Sequence, residues 1–502
     1  MQSSLFIAAT GLKTHSAGLQ TVSNNLANVS TVGYKQQSLL FEDLMYTGNP
    51  TLGSAWPQVW NQTGMGAQTG AVRTLFSVSG GFEPTNNITD LALEGKGFFQ
   101  VNNDGTDYYT RAGNFYFDKA GFMVNPNGYK LSGIKVVNGV EQGGLKPVEV
   151  NWNGSTVSQS AARATDAVSA AFNLGFSSDN AHDIANPAFS LLSAWDATQD
   201  PPMPPNAAGY TDSMRLYDST GKTYTATIHF DGTDLGTGGQ SVYEFVVTVP
   251  PSNDGSAAAG TPGAGLLLAG TLTFSPSGEL INMSSFSPGG GDRKDLNNWT
   301  PSALVNGVPQ VAMTAANGQP LNFTLNLGIA ANDGWQNLPA SAATVGTDVS
   351  LLPGMGQVTR QSVATTAMGT TSNNVRYNQS GYGTGWLSGL DINRSGEIVA
   401  SYSNGQSDVL YRIPVFRFTS EDGLYHEGSN LFSYTDACGT MEYGTAGTEN
   451  YGKINASTLE MSNVDMAREM TSMIIVQRGF QMNSKSVTTS DEMLKKALEL
   501  KR

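Results

Sequence analysis

The chain has 502 residues, more than a single hydrophobic core usually serves, and it therefore predicts about two to four domains. Charged residues make up only 14 %, and the formal net charge is −14 at pH 7 without any run of lysine or arginine, which argues against a nucleic-acid or anionic membrane partner. The single cysteine, Cys438, excludes an internal disulfide.

A helix is predicted at the N terminus, because side chains suited to a packed seam recur every three or four residues. The seam consists of Leu5, Ala8, Leu12, His15, Leu19, Val22, Leu26 and Val29. A buried neutral imidazole with a polar neighbour is the expected role of His15, rather than a pH-sensitive one. The first residues lack the features of a cleavable signal, and no stretch of about 18 apolar residues suggests a membrane span, so we expect neither.

Strand and turn signals dominate the middle of the chain, which predicts a mainly β fold. Residues 97–133 alternate apolar runs with Asp-Gly, Ala-Gly and Asn-Gly turns, the pattern of a β-meander, and a similar pattern returns in 385–418. Residues 147–356 are rich in Ala, Gly, Ser and Pro and indicate an inserted domain with long exposed loops.

A second long helix is predicted at the C terminus, where one column recurs at a strict spacing of seven: Leu459, Met466, Met473, Phe480, Val487 and Leu494. Its companion column is half polar, with Asn463, Met470, Gln477, Ser484, Asp491 and Leu498. Isolated helices are marginal in water, and the middle has no helical stripe to receive these two. We therefore expect them to bury their seams on each other or on other copies, to be disordered or loosely paired in one chain, and to lock in a polymer.

The predicted domain organisation places the two chain ends together. Residues 1–30 and 457–502 form a coiled-coil-like helical domain, and 31–72 connect it to the β region. Residues 73–147 and 360–456 form an inner β-domain, and 148–359 form an outer β-domain with one or two lobes.

Patterns that would indicate bound ions or catalysis are weak. Residues 391–397 begin like a calcium loop, but Tyr402 occupies the position where a bidentate carboxylate is needed, so a hairpin turn is favoured. The histidines at 15, 182, 229 and 426 lack metal-ligand spacing, and no nucleophile motif or phosphate-binding glycine loop occurs. We expect no metal, no cofactor and no enzyme activity.

Three motifs occur in the order found in a known family. The first includes Asn24, Asn25, Asn28, Gly33 and Lys35; the second Asp90, Gly95, Gly97, Phe98 and Phe99; the third Asn463, Val464, Asp465, Gln477 and Arg478. In this respect the chain resembles the axial proteins of the bacterial flagellar rod and hook. Residues 214–224 further resemble the outer β-domain that distinguishes hook subunits from rod subunits.

The resemblance implies a structural subunit of the extracellular hook, a hollow, flexible, curved homopolymer that joins rod to filament and transmits torque. It implies contacts with the distal rod protein, the hook cap, the hook-length control protein, the hook-filament junction protein and the flagellar export apparatus, and export without a cleavable signal. In some members of this family a cysteine cross-links subunits, a minor possibility for Cys438. The alternatives are a distal rod subunit and an extracellular β-rich protein acting on carbohydrate.

Overall fold

The computed structural model describes residues 2–50, 60–137, 139–150, 159–175, 180–256, 258–448 and 450–499. The chain divides into a terminal unit, residues 1–158 with 387–502, and an inserted unit, residues 159–386. The prediction of a mainly β chain with a long helix at each end is confirmed. The inserted unit ends at Trp386, so the strand Asn373–Gln379, which we predicted for the inner β-domain, lies in the inserted unit.

The described residues contain two long helices, α1 at Gln2–Ala27 and, near the other end, Met466–Glu499, together with one short helix, α2, at Ser190–Ala194. The second long helix is called α3 below. It begins at Met466 because the Asp465 carboxylate accepts the N–H groups of Ala467 and Arg468 at 2.9 and 3.2 Å, as an N-cap does. Two seam predictions are therefore wrong. Leu459 lies in the strand Thr458–Glu460, and Val29 lies in the turn that follows α1.

The main sheet of the terminal unit contains the predicted meander. Asp104 and Gly105, both at positive φ, form the tight turn between its first two strands. In spatial order the principal strands are Gly385–Ile392, Glu397–Tyr402, Ser407–Arg412, Lys130–Val137, Phe99–Asn103, Thr106–Thr110, Leu431–Ser433 and Tyr425–Gly428, with Val140–Pro147, Met123–Val124 and Tyr116–Phe117 attached to one side. The predicted hairpin at 391–397 is present, with the Asn393 side chain accepting the N–H groups of Ser395 and Glu397.

Short antiparallel pairs complete the terminal unit and bring the chain ends to the sheet. They are Gln37–Asp43 with Ala67–Thr74, Tyr46–Pro50 with Trp60–Gly64, Pro414–Phe418 with Met441–Thr445, Lys453–Ala456 with Leu91–Glu94, and Thr458–Glu460 with Phe82–Pro84. The strand just before α3 is thus held by the strand Phe82–Pro84. The strand Pro414–Phe418 contributes Phe416 and Phe418 to an aromatic cluster that also includes Phe76, Phe98 and Phe432.

The inserted unit is built on two sheets that share one hydrophobic core. Six consecutive antiparallel strands form the first: Tyr210–Tyr217, Thr223–Thr233, Ser241–Thr248, Leu266–Phe274, Leu280–Pro288 and Trp299–Pro301. The second has the order Leu304–Val305, Val308–Thr314, Pro320–Asn326, Ala167–Asn173 and Asn373–Gln379. Phe172 and Phe323 from the second sheet pack with Phe230 and Phe245 from the first in the common core.

Candidate assembly surface on the terminal helices

The two terminal helices pack antiparallel against each other. A side chain at Gly11 would lie 2.8 Å from the Asn483 side chain, and one at Gly18 would lie 3.4 Å from Val476. One further step of seven along α1, the Asn25 amide donates a hydrogen bond to Glu469 Oε2 at 3.4 Å. Each forward step of seven on α1 therefore matches a backward step of seven on α3, which is the geometry of an antiparallel coiled-coil layer.

Small residues allow the helix backbones to approach closely. Gly479 faces the His15 ring, and a β-carbon there would lie 2.5 Å from His15 Cε1. His15 is half-buried, and its Nδ1 atom has no hydrogen-bond partner among the described residues, so the polar neighbour that we expected is absent at that atom. The expectation of disordered or loosely paired helices in one chain does not describe this structure, because interdigitated small residues hold them together.

Most of the predicted seam residues flank this contact, although Ala8 is buried and His15 faces Gly479. Those that are half-buried are Leu5, Leu12, Leu19, Val22, Leu26, Met473, Val487 and Leu494, whereas Met466 and Phe480 are exposed. The companion column of α3 does not face α1, since Met470, Gln477, Asp491 and Leu498 are exposed in one chain. The column that faces α1 is instead Glu469, Val476, Asn483 and Ser490.

A second, uncovered face of α3 is apolar. It consists of Ile475, Met482 and Met493, which follow one another along one side of the helix, and we call it the apolar face of α3. Ile475 is 64 % exposed and Met482 is 72 % exposed, values unusual for such side chains in a folded chain. On α1, Phe6 is also exposed. Exposed apolar side chains repeated along one side of a helix are typical of a surface that binds another molecule.

Asn25, from the first family motif, fixes the end of α1 to the residues that follow it. Its amide donates to the Gln37 carbonyl at 2.7 Å, and its side-chain oxygen accepts from the Gln37 N–H at 3.0 Å and from the Tyr34 hydroxyl at 3.1 Å. Gln36 also donates to the Glu469 carboxylate. Burial and the nearby Glu469 carboxylate raise the pKa of Tyr34 to about 12.

Three charged residues meet in the interior beside these contacts, and we call Lys35, Arg111 and Glu460 the junction cluster. Lys35 Nζ lies 2.6 Å from Glu460 Oε1, and Arg111 Nη1 lies 3.4 Å from Glu460 Oε2. The Lys35 and Glu460 side chains are fully buried and that of Arg111 is nearly so. Burial, followed by the neighbouring Arg111, lowers the pKa of Lys35, and burial lowers the pKa of Arg111.

Backbone groups complete the junction cluster. Lys35 donates to the Val78 carbonyl at 2.9 Å, Arg111 donates to the Gly95 carbonyl at 2.6 Å, and the Gly80 N–H donates to Glu460 Oε1 at 3.1 Å. Each ion therefore has hydrogen-bond partners in addition to its opposite charge, as buried ions require.

Gly33 allows the chain to pass tightly over this cluster. Its φ is +70°, and a β-carbon would lie 2.5 Å from the Ala112 nitrogen. Its N–H donates to the Glu460 carbonyl at 2.7 Å. Only glycine combines this backbone conformation with so close a neighbour, which gives the motif glycine a physical role.

The remaining motif residues serve several purposes. Asn463 accepts the Gln36 N–H at 2.6 Å and donates to the carbonyls of Leu75 and Val78. Those buried in the terminal unit are Asp90, Gly97, Phe98, Phe99 and Val464, and those exposed or half-buried are Asn24, Asn28, Gly95, Gln477 and Arg478. Glu460 and Glu469 were not among the predicted site residues, although Glu460 lies just before the third motif and Glu469 lies within it. A carboxylate at these positions gives no hydrophobic signal.

Other candidate chemistry finds little support among the described residues. No group of three or more His, Cys, Asp or Glu side chains there could hold a metal ion. No helix in the described ranges is long and apolar enough to cross a membrane. Cys438 is fully buried against the aromatic cluster, so a cross-link to another copy would first require its exposure.

Four family profiles match the chain in sequence order. They are "Flagella basal body rod protein" over residues 5–35, "Flagellar hook protein FlgE/F/G D1 domain" over 92–160, "Flagellar basal body protein FlaE D2 domain" over 192–382, and "Flagellar basal body rod FlgEFG protein C-terminal" over 455–500. The first and last include α1 and α3, and the third lies within the inserted unit.

Relatives that match end to end carry one name. The "Flagellar hook protein FlgE" of Treponema pallidum (strain Nichols) is 28 % identical over 528 residues, covering 100 % of both chains. The protein of the same name from Escherichia coli (strain K12) is 27 % identical over 497 residues, covering 98 % of this chain and 99 % of that one. The crystal structure of Helicobacter pylori flagellar hook protein FlgE2 aligns with a TM-score of 0.41 at 14 % identity, covering 76 % of this chain and 100 % of that chain.

Proposed function

This chain belongs to the family of flagellar rod and hook proteins, and we propose that it is a structural subunit of the flagellar hook that polymerises through its terminal helices. Membership of a structural family implies a non-enzymatic role. A match to the FlaE D2 profile over 192–382 and end-to-end similarity to proteins named for the hook favour the hook over the rod.

The observation that carries the assembly mechanism is the apolar face of α3. In one chain α1 covers a different side of α3, and Ile475 and Met482 remain exposed. Removing about 100 Å² of apolar surface from water contributes on the order of 2.5 kcal/mol, so covering this face strongly favours association. We propose that α1 and α3 of neighbouring copies cover it and build the wall of a hollow tube.

This contact produces a tube if the surface that one copy contributes differs from the surface that its neighbour contributes. A heterologous contact whose rotation does not close generates a helical polymer rather than a ring. Exposed β surfaces of neighbouring copies then supply the outer contacts, whose polar character allows the tube to bend while it transmits torque. The proposed partners are many copies of this chain, the distal rod protein, the hook cap, the hook-length control protein, the hook-filament junction protein and the flagellar export apparatus.

Electron microscopy of the concentrated purified chain tests the proposal. We expect tubes from the unchanged chain and none from Ile475→Glu or Met482→Glu, because each places a charge in a face that must lose water. Thr488→Glu is the matched control, since Thr488 is exposed on another side of α3. Tubes of normal abundance from both apolar-face variants would refute the proposed role of this face.

Deletion of residues 466–502 provides a complementary test that leaves the junction cluster in place. We expect a soluble, β-rich chain that forms no tubes. Tubes formed by this truncated chain would show that α3 is dispensable for assembly.

A further inference from the structure

The junction cluster has more positive than negative charge. It contains the two cations Lys35 and Arg111 and the single carboxylate Glu460, all of them buried. Taking ions out of water is unfavourable unless each is paired and hydrogen-bonded, and here one carboxylate is shared between two cations. Neutralising Glu460 would leave two like charges close together, with the Glu421 carboxylate beyond ion-pair distance as their remaining counterion.

The position of Glu460 in the chain connects this charge balance to the way in which the two chain ends are held. Lys35 lies on the segment that leaves α1, Glu460 lies on the segment that enters α3, and Arg111 comes from the end of a strand in the sheet. The backbone also joins the segments of Lys35 and Glu460, because the Gly33 N–H donates to the Glu460 carbonyl at 2.7 Å. The Met461 N–H donates to the Gly81 carbonyl at 2.8 Å, which ties the segment of Glu460 to the residues before the strand Phe82–Pro84.

From these contacts we infer that Glu460 is a positioning residue for assembly: its carboxylate fixes both chain ends to the β sheet and so sets how the paired helices are presented to other copies. Glu460 acts through Lys35 and Arg111 and touches no other copy, since it has no exposed surface. The inference rests on the proposed polymer, but the junction itself can be tested in the unassembled chain.

Three full-length variants separate electrostatic positioning from simple loss of packing. Glu460→Gln keeps the side-chain shape and leaves two buried cations without their ion-pair partner. Lys35→Met combined with Glu460→Gln removes one of them, so it should restore part of what the single change loses. Glu83→Gln is the control, because Glu83 is an exposed carboxylate on the strand that pairs with Leu459.

Hydrogen exchange of the unassembled chain is the first measurement. In Glu460→Gln we expect the amides of Gly33 and Met461 to exchange about a hundredfold faster, as the loss of one partner of a buried pair predicts, with about tenfold recovery in the double variant. Unchanged exchange in Glu460→Gln, or a double variant no slower than the single one, would overturn the inference.

The concentration at which tubes first form is the second measurement. It should rise in Glu460→Gln, fall back toward the starting value in the double variant, and stay unchanged in Glu83→Gln. Faster exchange with an unchanged threshold would also overturn the inference, because the junction would then not act on assembly. If the unchanged chain forms no tubes, the proposed function fails, and hydrogen exchange alone decides the role of the junction.

Discussion

Replacing Asn25 by leucine tests whether the buried asparagine, rather than the leucine column, fixes α1 in place. Asn25 is 1 % exposed, and leucine has a similar size without the amide. The change deprives the N–H and C=O of Gln37 of their hydrogen bonds to Asn25, at 3.0 and 2.7 Å. Each buried polar group left unpaired costs about 1 to 3 kcal/mol, and the added leucine surface offsets part of this, so we expect a net loss of about 3 kcal/mol.

The adjacent Asn24 provides the matched control. It is exposed, and its side chain makes two long bonds: its amide donates to the Tyr34 hydroxyl at 3.3 Å, and its oxygen accepts from the Asn28 amide at 3.2 Å. Asn24→Leu should therefore cost less than about 1 kcal/mol. Urea unfolding of the unassembled chain, followed by far-UV circular dichroism of its helices, measures both free energies of unfolding. Equal losses in the two variants would refute the role assigned to Asn25.

Further predictions concern backbone strain and pH. Gly33→Ala should lower the free energy of unfolding by about 2 to 4 kcal/mol. Gly128→Ala is the control, because Gly128 has φ +83° but open space around it, and it should lower that free energy by about 1 kcal/mol. Equal urea midpoints for the two variants would contradict this prediction. Burial raises the pKa of Tyr34 and Tyr109 to about 12, so the folded chain keeps protons that the unfolded chain releases above pH 10. Its stability should fall from pH 10 to about 12, by about 2.7 kcal/mol for each tyrosine, and replacing both by phenylalanine should flatten the decline; an unchanged slope would exclude them as its source. Burial lowers the pKa of His229 to about 4, so the free energy of unfolding of the inserted unit should fall by about 3 kcal/mol between pH 6.5 and about 4. His229→Gln should remove that loss, and a loss of the same size in the variant would exclude His229 as its source.

The sequence predicted both terminal helices but not the sides on which they meet. Hydrophobic periodicity gives weight to Leu12 and Leu19, whereas α1 meets α3 at Gly11 and Gly18, which carry no hydrophobic signal. The start of α3 was misplaced for a different reason. A spacing of seven included Leu459, but the Asp465 cap sets the first turn, and strand pairing holds Leu459 outside the helix.

The boundary of the inserted unit depended on contacts that a local pattern does not contain. Asn373–Gln379 pairs with Ala167–Asn173, about two hundred residues earlier in the chain, and alternation within the later strand gives no indication of its partner. The family motifs were more informative about the junction. They included Lys35 among the predicted residues, but its pairing with Glu460 and Arg111 arises only when distant segments meet.

The side of α3 that faces α1 is more polar than the interior of a self-sufficient chain usually is. Glu469, Asn483 and Ser490 lie there beside Val476, whereas Ile475 and Met482 face water. Polar contacts contribute little net free energy but specify register and orientation, and apolar burial supplies most of the driving force for association. The internal contact of α3 is therefore suited to fixing its alignment with α1, and its stronger apolar interaction is left for another copy. Exchanging the two sides would produce a more stable monomer with a weaker tendency to polymerise.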